Sequence, residues 1–412
     1  MSVRRTVELD IFDPAFVRDP FPSFRDLRER EPVAYTERWG GQWIPTRYED
    51  IEAVARDTEH FSSVTVSVIG PKPGDGPLFV GPPVTLDPPE HAEVRRLLLP
   101  AFSPAAIERL EPITRRIARD LVEEIAAAAP DGDGQRRCDA ADAFAQHLPV
   151  RVIAGLIGVP VSEEDRFTDW VTRILKVGAA DPDILNAASR EVRAYFAEHL
   201  EARRRLAAPP EDLITYLLRA EVDGAPLSDK HIIGMLYVLL LAGIDTTWSS
   251  LGSSLWHLAT HPGDRRRLAA EPELLPVAIE ELLRLYTPAT MARIVTGEIE
   301  VGGRTLLPGE RILLPFAAAN RDPAVFDDPD QAVIDRAVNR HASFGLGVHR
   351  CLGSNLARME LRVGLEEWLR AFPSFRLDET RPVHWYGGQV RSISTLPLLL
   401  DDGGAAAPGD AG

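Results

Sequence analysis

Lysine is nearly missing from this 412-residue chain: Lys72, Lys176 and Lys230 stand against 43 arginines. Cysteine is rarer still, with only Cys138 and Cys351. Two cysteines build no disulfide framework, so a reducing, cytoplasmic setting is expected. The first residues, MSVRRTVELDIFDPAF, lack any long apolar run and read as neither a signal peptide nor a membrane anchor. An excess of positive charge is lacking as well. The net charge is −16, which argues against nucleic-acid binding and serves solubility. No internal repeat is visible. What is present is a composition 45% hydrophobic, enough for a large core. One domain is expected over residues 1–400, β-rich near its N-terminus and helical beyond. The low-complexity end over residues 401–412, DDGGAAAPGDAG, is expected to be a disordered tail.

The chain reads as mainly α with small β-sheets. Residues 42–47, QWIPTR, are strand-like, and YEDIEAVARD after them is an amphipathic helix. Residues 62–86 form a long Pro- and Gly-rich stretch. Its apolar members Val64, Val66, Val68, Ile69, Leu78, Phe79 and Val80 suit a lid over an apolar guest. Pro88, Pro89 and Glu90 suit a helix start, and His91 and Arg95, four apart, share one face of that helix. Helical periodicity dominates residues 104–260, including a helix pair around a polar turn at Asp181–Asp183.

Ser228 is a fair N-cap for a helix of about thirty residues that ends at Pro262. Its apolar run from Ile232 to Ile244 is too short to span a bilayer and reads as a buried core helix. Inside it stands Gly243-Ile244-Asp245-Thr246-Thr247. Glycine, aspartate and threonine are poor helix-interior residues, and a threonine hydroxyl competes for a backbone carbonyl. The small Ala242 and Gly243 leave a groove, and Asp245 and Thr246 offer a proton path. Further on, Glu281 and Arg284 lie three apart on one helix.

Cys351 lies in FGLGVHRCLG, residues 344–353, before an apolar helical run. A following helix would aim N–H groups and its positive end at the sulfur and favour thiolate. On these residues alone, a structural cysteine, a thin His349-x-Cys351 metal pair and a Cys–His nucleophile all remain open. The ten residues together match Phe-Gly-x-Gly-x-His-x-Cys-x-Gly, and the chain resembles the cytochrome P450 family, in particular soluble bacterial members of the camphor-hydroxylase class. Four further motifs in the family's order support the resemblance: DPPEHxxxR, Ala-Gly-x-Asp-Thr, ExxR with a downstream Arg336, and Arg293 ahead of a hairpin.

The resemblance implies a triangular, prism-like fold with heme b between the long central helix and the cysteine loop. It implies Cys351 as the iron ligand, with Phe344, Gly345, Gly353 and Ala242 against the heme. His91, Arg95, Arg293 and His349 would hold its propionates. Asp245 and Thr246 would deliver protons during oxygen activation. Glu281, Arg284 and Arg336 would lock the segment that carries the cysteine. Val238, Leu241, Ala289, Met291, Gln389 and Val390 would line the substrate pocket, roofed by the helix pair near Asp181. The activity implied is a monooxygenase that puts one atom of O2 into a small hydrophobic molecule. Its electrons would come from a separate ferredoxin and ferredoxin reductase, docking near Arg96, Arg340, Arg350 and Arg358. No nucleic-acid or membrane partner is expected, and the chain is expected to be a monomer. The competing readings are a heme-binding sensor or carrier without turnover, which has no use for Asp245 and Thr246, and a heme-free cysteine hydrolase.

Overall fold

A β-rich edge and a helical mass share the burial of this chain, described by a computed structural model over residues 6–70, 72–74, 81–132, 134–179, 181–222 and 224–401. The edge is built from β1 (Val33–Thr36), β2 (Gln42–Pro45), helix α1 (Tyr48–Arg56), β3 (Phe61–Ser62), β4 (Thr290–Val295) and β5 (Arg311–Pro315). The sheet order is β1-β2-β5-β4-β3. β5 runs parallel to β2, with Ile312 opposite Trp43, and antiparallel to β4, with Ile312 opposite Arg293. Side chains alternate along a strand. Met291 and Arg293 therefore share one face of β4 and line an internal cavity. Ala292 turns the other way and packs with Ile44 and Leu313.

The helical mass contains α2 (Glu90–Leu98), α3 (Glu111–Ala127), α4 (His147–Ile157), α5 (Pro182–Arg204), α6 (Asp229–Thr260), α7 (Leu275–Leu285) and α8 (Ser354–Ala371). α6 is the axis. Ser228 caps it by accepting from the His231 N–H, and its 32 residues span roughly 48 Å at 1.5 Å each. Apolar residues occupy most sides of it, as expected for a helix surrounded by others. It packs on α4, α5 and α8. By length and composition alone α6 could cross a membrane, at mean hydropathy 1.5, but 67% of that stretch is buried inside the protein.

A smaller sheet joins residues 136–139, 375–377 and 397–400, and a hairpin pairs His384–Tyr386 with Ser392–Thr395. Leu78, Phe79 and Val80 of the expected lid, and residues 402–412 of the expected tail, lie outside the described residues. Asp401 does not behave as tail: its N–H donates to Ser374 O and its carboxylate accepts from the Ser374 hydroxyl.

Candidate active site

Four elements converge on the cavity: the middle of α6, strand β4, the start of α2 and the loop that precedes α8. That loop carries Cys351. Gly345 and Gly347 adopt φ of +70° and +68°, the left-handed region that glycine tolerates. A side chain at Gly347 would also strike Ala55 O, so α1 fixes the loop from outside. The loop is closed on itself by the Cys351 N–H, which donates to Phe344 O at 2.7 Å.

The Cys351 sulfur is open to the cavity and lies deep beneath the outer surface. Burial raises its pKa. The Gly353 N–H and the positive charges of Arg95, Arg350 and Arg358 pull it back only in part. The loop acts in the expected direction, through the Gly353 N–H, but burial opposes it more strongly. α8 starts three residues later, at Ser354. A bound metal cation, the strongest charge a site can hold, would ionise such a thiol outright.

On one side of the cavity stand His91, Arg95, Arg293 and His349. The His91 and His349 rings are 4.2 Å apart. Burial, together with the neighbouring arginines, lowers the pKa of His91, and burial, Arg293, His91 and Arg95 bring His349 down to about 3. Arg293 is pushed down to about 10 by burial, with Asp87 as its opposing charge. Asp87 itself is engaged by Ser62 and the Ser63 N–H, and the Ser63 hydroxyl shares a hydrogen bond with His349 Nε2 at 3.0 Å. His91 Nε2 is buried without a partner. Groups that disfavour one another's positive charge around an orphaned nitrogen make a receptor for anions, and carboxylates are the fitting guest.

α6 presents Val238, Ala242 and Thr246, one turn apart, to the same cavity. The Thr246 hydroxyl donates to Ala242 O at 2.7 Å. Ala289 and Met291 also line the cavity, as do Phe344, Gly345 and Gly353. The empty space measures about 1440 Å³, part of it open to solvent. The anion receptor, the sulfur and the apolar residues that line the same cavity fit a heme beside an apolar guest.

Several expected residues sit elsewhere. Leu241 is absent from the cavity lining. It is rotated about 100° from Ala242 on the helix and packs in the helical core. Gln389 and Val390 stand behind the wall. Gln389 Nε2 reaches Val66 O at 3.4 Å and Met291 Sδ at 3.7 Å, and Val390 bridges to Ala289. The helix pair near Asp181 contributes no residue to the cavity lining among the described residues. From the lid, Val66 and Val84 reach the cavity, whereas Val68 packs in a separate core.

Asp245 does not line the cavity either. Its carboxylate is buried, makes no hydrogen bond and lies 3.6 Å from Lys176 Nζ. Lys176 ends a π-helical turn, Thr172–Lys176, and its Nζ sits 3.4 Å from the centroid of the Trp248 ring. Burial raises Asp245 and lowers Lys176, each partly corrected by the other. The sequence offered no signal for this lysine beyond the rarity of the residue. Glu360 on α8 was missed as well. It lines the cavity near Thr247 and Ser250, both oxygens lack hydrogen bonds, and burial lifts its pKa far above the usual range, with Thr247 a minor counterweight.

Behind the cysteine loop, Glu281 and Arg284 are fully buried. Glu281 accepts from Arg284 at 2.7 and 2.8 Å, from the Val333 N–H at 2.9 Å, from Arg336 at 3.1 Å and from Asn339 at 3.0 Å. Arg284 donates further to the carbonyls of Asn320, Pro329 and Gln331. Arg358, expected near a docking surface, is paired with Glu280 and lies over Phe344.

A family model described as "Cytochrome P450" matches residues 41–384. The "Mycinamicin IV hydroxylase/epoxidase" of Micromonospora griseorubida is 36% identical over 385 residues, covering 91% of this chain and 94% of that protein. The crystal structure of CYP101J2 superposes with a TM-score of 0.86 at 30% identity, covering 98% of both chains. CYP109E1 from Bacillus megaterium, solved in complex with testosterone, gives a TM-score of 0.85 at 29% identity, covering 95% of this chain and 100% of that one.

Proposed function

The chain belongs to the cytochrome P450 family of heme monooxygenases, which act on hydrophobic small molecules with O2 and redox partners, and on that premise we propose how its residues divide the work. Cys351 would bind the heme iron, and His91, Arg95, Arg293 and His349 would hold the propionates. The single observation that carries this is the buried His91 Nε2 without a partner, amid cations, in the cavity that Cys351 and Thr246 also line. When bound, the heme supplies a redox-active iron at which O2 is activated, and a thiolate ligand favours O–O cleavage.

Insertion of one oxygen atom releases the other as water, so two electrons and two protons must be delivered. Thr246 is the only one of the pair that touches the cavity, and it hands protons inward. Its hydroxyl turns between Ala242 O and the guest. Asp245, behind it on the same helix, is the proton store that Lys176 keeps in reach of ionisation. For Thr246→Ala the expected result is uncoupling. NAD(P)H and O2 are consumed near the normal rate, while product per reductant falls at least tenfold. Parallel measurement of NADH loss and product checks this.

The substrate is a neutral, hydrophobic molecule. The upper cavity is lined by Val66, Val84, Val238, Ala289 and Met291, and its cations are committed to carboxylates. A ferredoxin reduced by its own reductase fits as electron donor. Arg96 and Arg350 are exposed beside the cysteine loop, because Arg95 ties α2 to Arg350 O. Arg340 is exposed nearby, its carbonyl accepting from Tyr48. A monomer in the cytoplasm accords with the two unpaired cysteines and the acidic net charge. The test is spectroscopic. The reduced wild-type protein with carbon monoxide should show the Soret shift of a thiolate complex, and Cys351→Ser should lose it. Loss of the shift in the wild type would overturn the ligand assignment.

A further inference from the structure

Arg358 stands two turns beyond Cys351 on α8, and both sides of its guanidinium are engaged. Along one edge it forms a fork to Glu280, with Nε at 2.6 Å and Nη2 at 2.7 Å from the two carboxylate oxygens. Across its face it lies 4.3 Å from the centroid of Phe344. His341 Nε2 reaches the same carboxylate at 2.9 Å. Phe344 is the residue whose carbonyl accepts the Cys351 N–H, and its ring walls the cavity. On their outer side Glu280 and Arg358 border a groove between α7, α8 and the start of α3. The stack therefore runs from a surface groove, through an ion pair and one aromatic ring, to the loop that holds the sulfur.

We propose that Glu280 and Arg358 are positioning residues that set the reduction potential at Cys351: the arginine supplies a fixed positive charge behind Phe344, and the glutamate trims it. The proposal rests on the heme-thiolate reading above. One-electron reduction adds a negative charge to the iron–thiolate unit. A nearby cation favours that state and a nearby anion opposes it. The pair is only partly exposed, 32% at Arg358 and 25% at Glu280, so water screens it incompletely. A planar fork between a carboxylate and an aromatic face has one orientation available, unlike a lysine at the same place. Burial raises the Glu280 carboxyl, but hydrogen bonds from Arg358 and His341 more than reverse this and hold it at about 2, so it stays an anion. The positive charge of Arg358 is also among those that favour the Cys351 thiolate.

The two partners predict opposite signs, which a merely structural clamp does not. Glu280→Gln leaves the arginine uncompensated and raises the potential. Arg358→Met leaves the carboxylate and lowers it. Each shift is expected to be about tenfold in the reduction equilibrium, or about 59 mV for one electron. The double variant returns within about threefold of the parent.

The experiment is a spectroelectrochemical titration of heme-loaded protein with mediator dyes, after the carbon-monoxide spectrum has shown thiolate ligation. A wild type without that spectrum would defeat the ligand assignment before any variant is tested. With it present, shifts of the same sign, or shifts below threefold in both single variants, overturn the proposal. Arg358→Lys keeps the charge but loses the fork, and it carries the test if a charge-removing variant loads no heme. It should load heme and stay within threefold of the parent. A larger shift, or failure of Arg358→Lys to hold heme, reassigns the pair to structure and overturns the proposal.

Discussion

Glu281→Ala is expected to yield almost no heme-loaded protein. The side chain is completely buried and accepts five hydrogen bonds, from Arg284, Arg336, Asn339 and the Val333 N–H. Removing it leaves Arg284, itself 0% exposed, without its counter-charge. Breaking one side of a buried ion pair costs about 3–5 kcal/mol. Whole domains are stable by only about 5–15 kcal/mol. The loss falls where it matters, because Glu281 and Arg284 hold the segment from Asn320 to Asn339 that leads into the cysteine loop. Arg284→Ala, which strands Glu281 and frees three carbonyls, should behave alike. The yield of heme per protein, read from the ratio of Soret to 280 nm absorbance, checks both; a yield above half of normal from either variant would contradict the assignment. The same carboxylate has a pH signature. Burial raises it, but Arg284, the Val333 N–H and Arg336 bring its folded value below 4.5. A depressed acid stabilises the fold above its unfolded value and loses that contribution as pH falls through the folded one. Heme should therefore be retained down to about pH 4.5 and released below it.

The residues legible in the sequence are those tied to a local rule. Ser228 caps α6 because its hydroxyl meets the His231 N–H three residues on. Gly345 and Gly347 mark a left-handed backbone, and Glu281 and Arg284 meet because residues three apart share a helix face. Family resemblance adds which of these surround the heme, and the fold it implies agrees with the solved relatives. What escaped is side-chain direction and distant pairing. Leu241 and Ala242 are neighbours in sequence, yet only Ala242 lines the cavity, because the apolar all-round composition of α6 hides which stripe faces inward. Lys176 is separated from Asp245 by the whole of α5 and the first half of α6, and it meets it from the end of a π-helical turn that no periodicity in the sequence marks. The balance at Cys351 was also illegible. Dipole and arginine contributions can be read from spacing, whereas desolvation depends on everything packed around the sulfur.

Asp245→Asn and Lys176→Met are expected to alter pH dependence in opposite directions. In the parent, burial raises Asp245 above 3.8 and lowers Lys176 below 10.5, and each limits the other's shift. Neither has a hydrogen bond, and the Lys176 ammonium rests on Trp248 instead. In Lys176→Met the carboxyl loses its only cation and its folded pKa climbs further. A raised acid binds its proton more tightly when folded, so stability falls as pH rises from 3.8 toward the new folded value. The melting deficit of Lys176→Met against the parent should therefore grow from about pH 5 to about pH 8. In Asp245→Asn the ammonium is stranded and its folded pKa drops further. A lowered base regains stability as pH rises from that folded value toward 10.5, so this deficit should shrink over the same interval. At the unfavourable end each deficit is expected to approach about 3–5 kcal/mol, the usual cost of splitting a buried pair. Turnover separates the two variants as well. Asp245→Asn removes the proton store and should lower the coupled rate by about 10²–10⁴-fold. Lys176→Met keeps the carboxyl, now protonated over a wider range, so its rate should fall less and its pH profile should move alkaline. Parallel melting-curve slopes for the two variants, or equal losses of turnover at every pH, would contradict the assignment of Asp245 as a proton store whose raised pKa Lys176 limits.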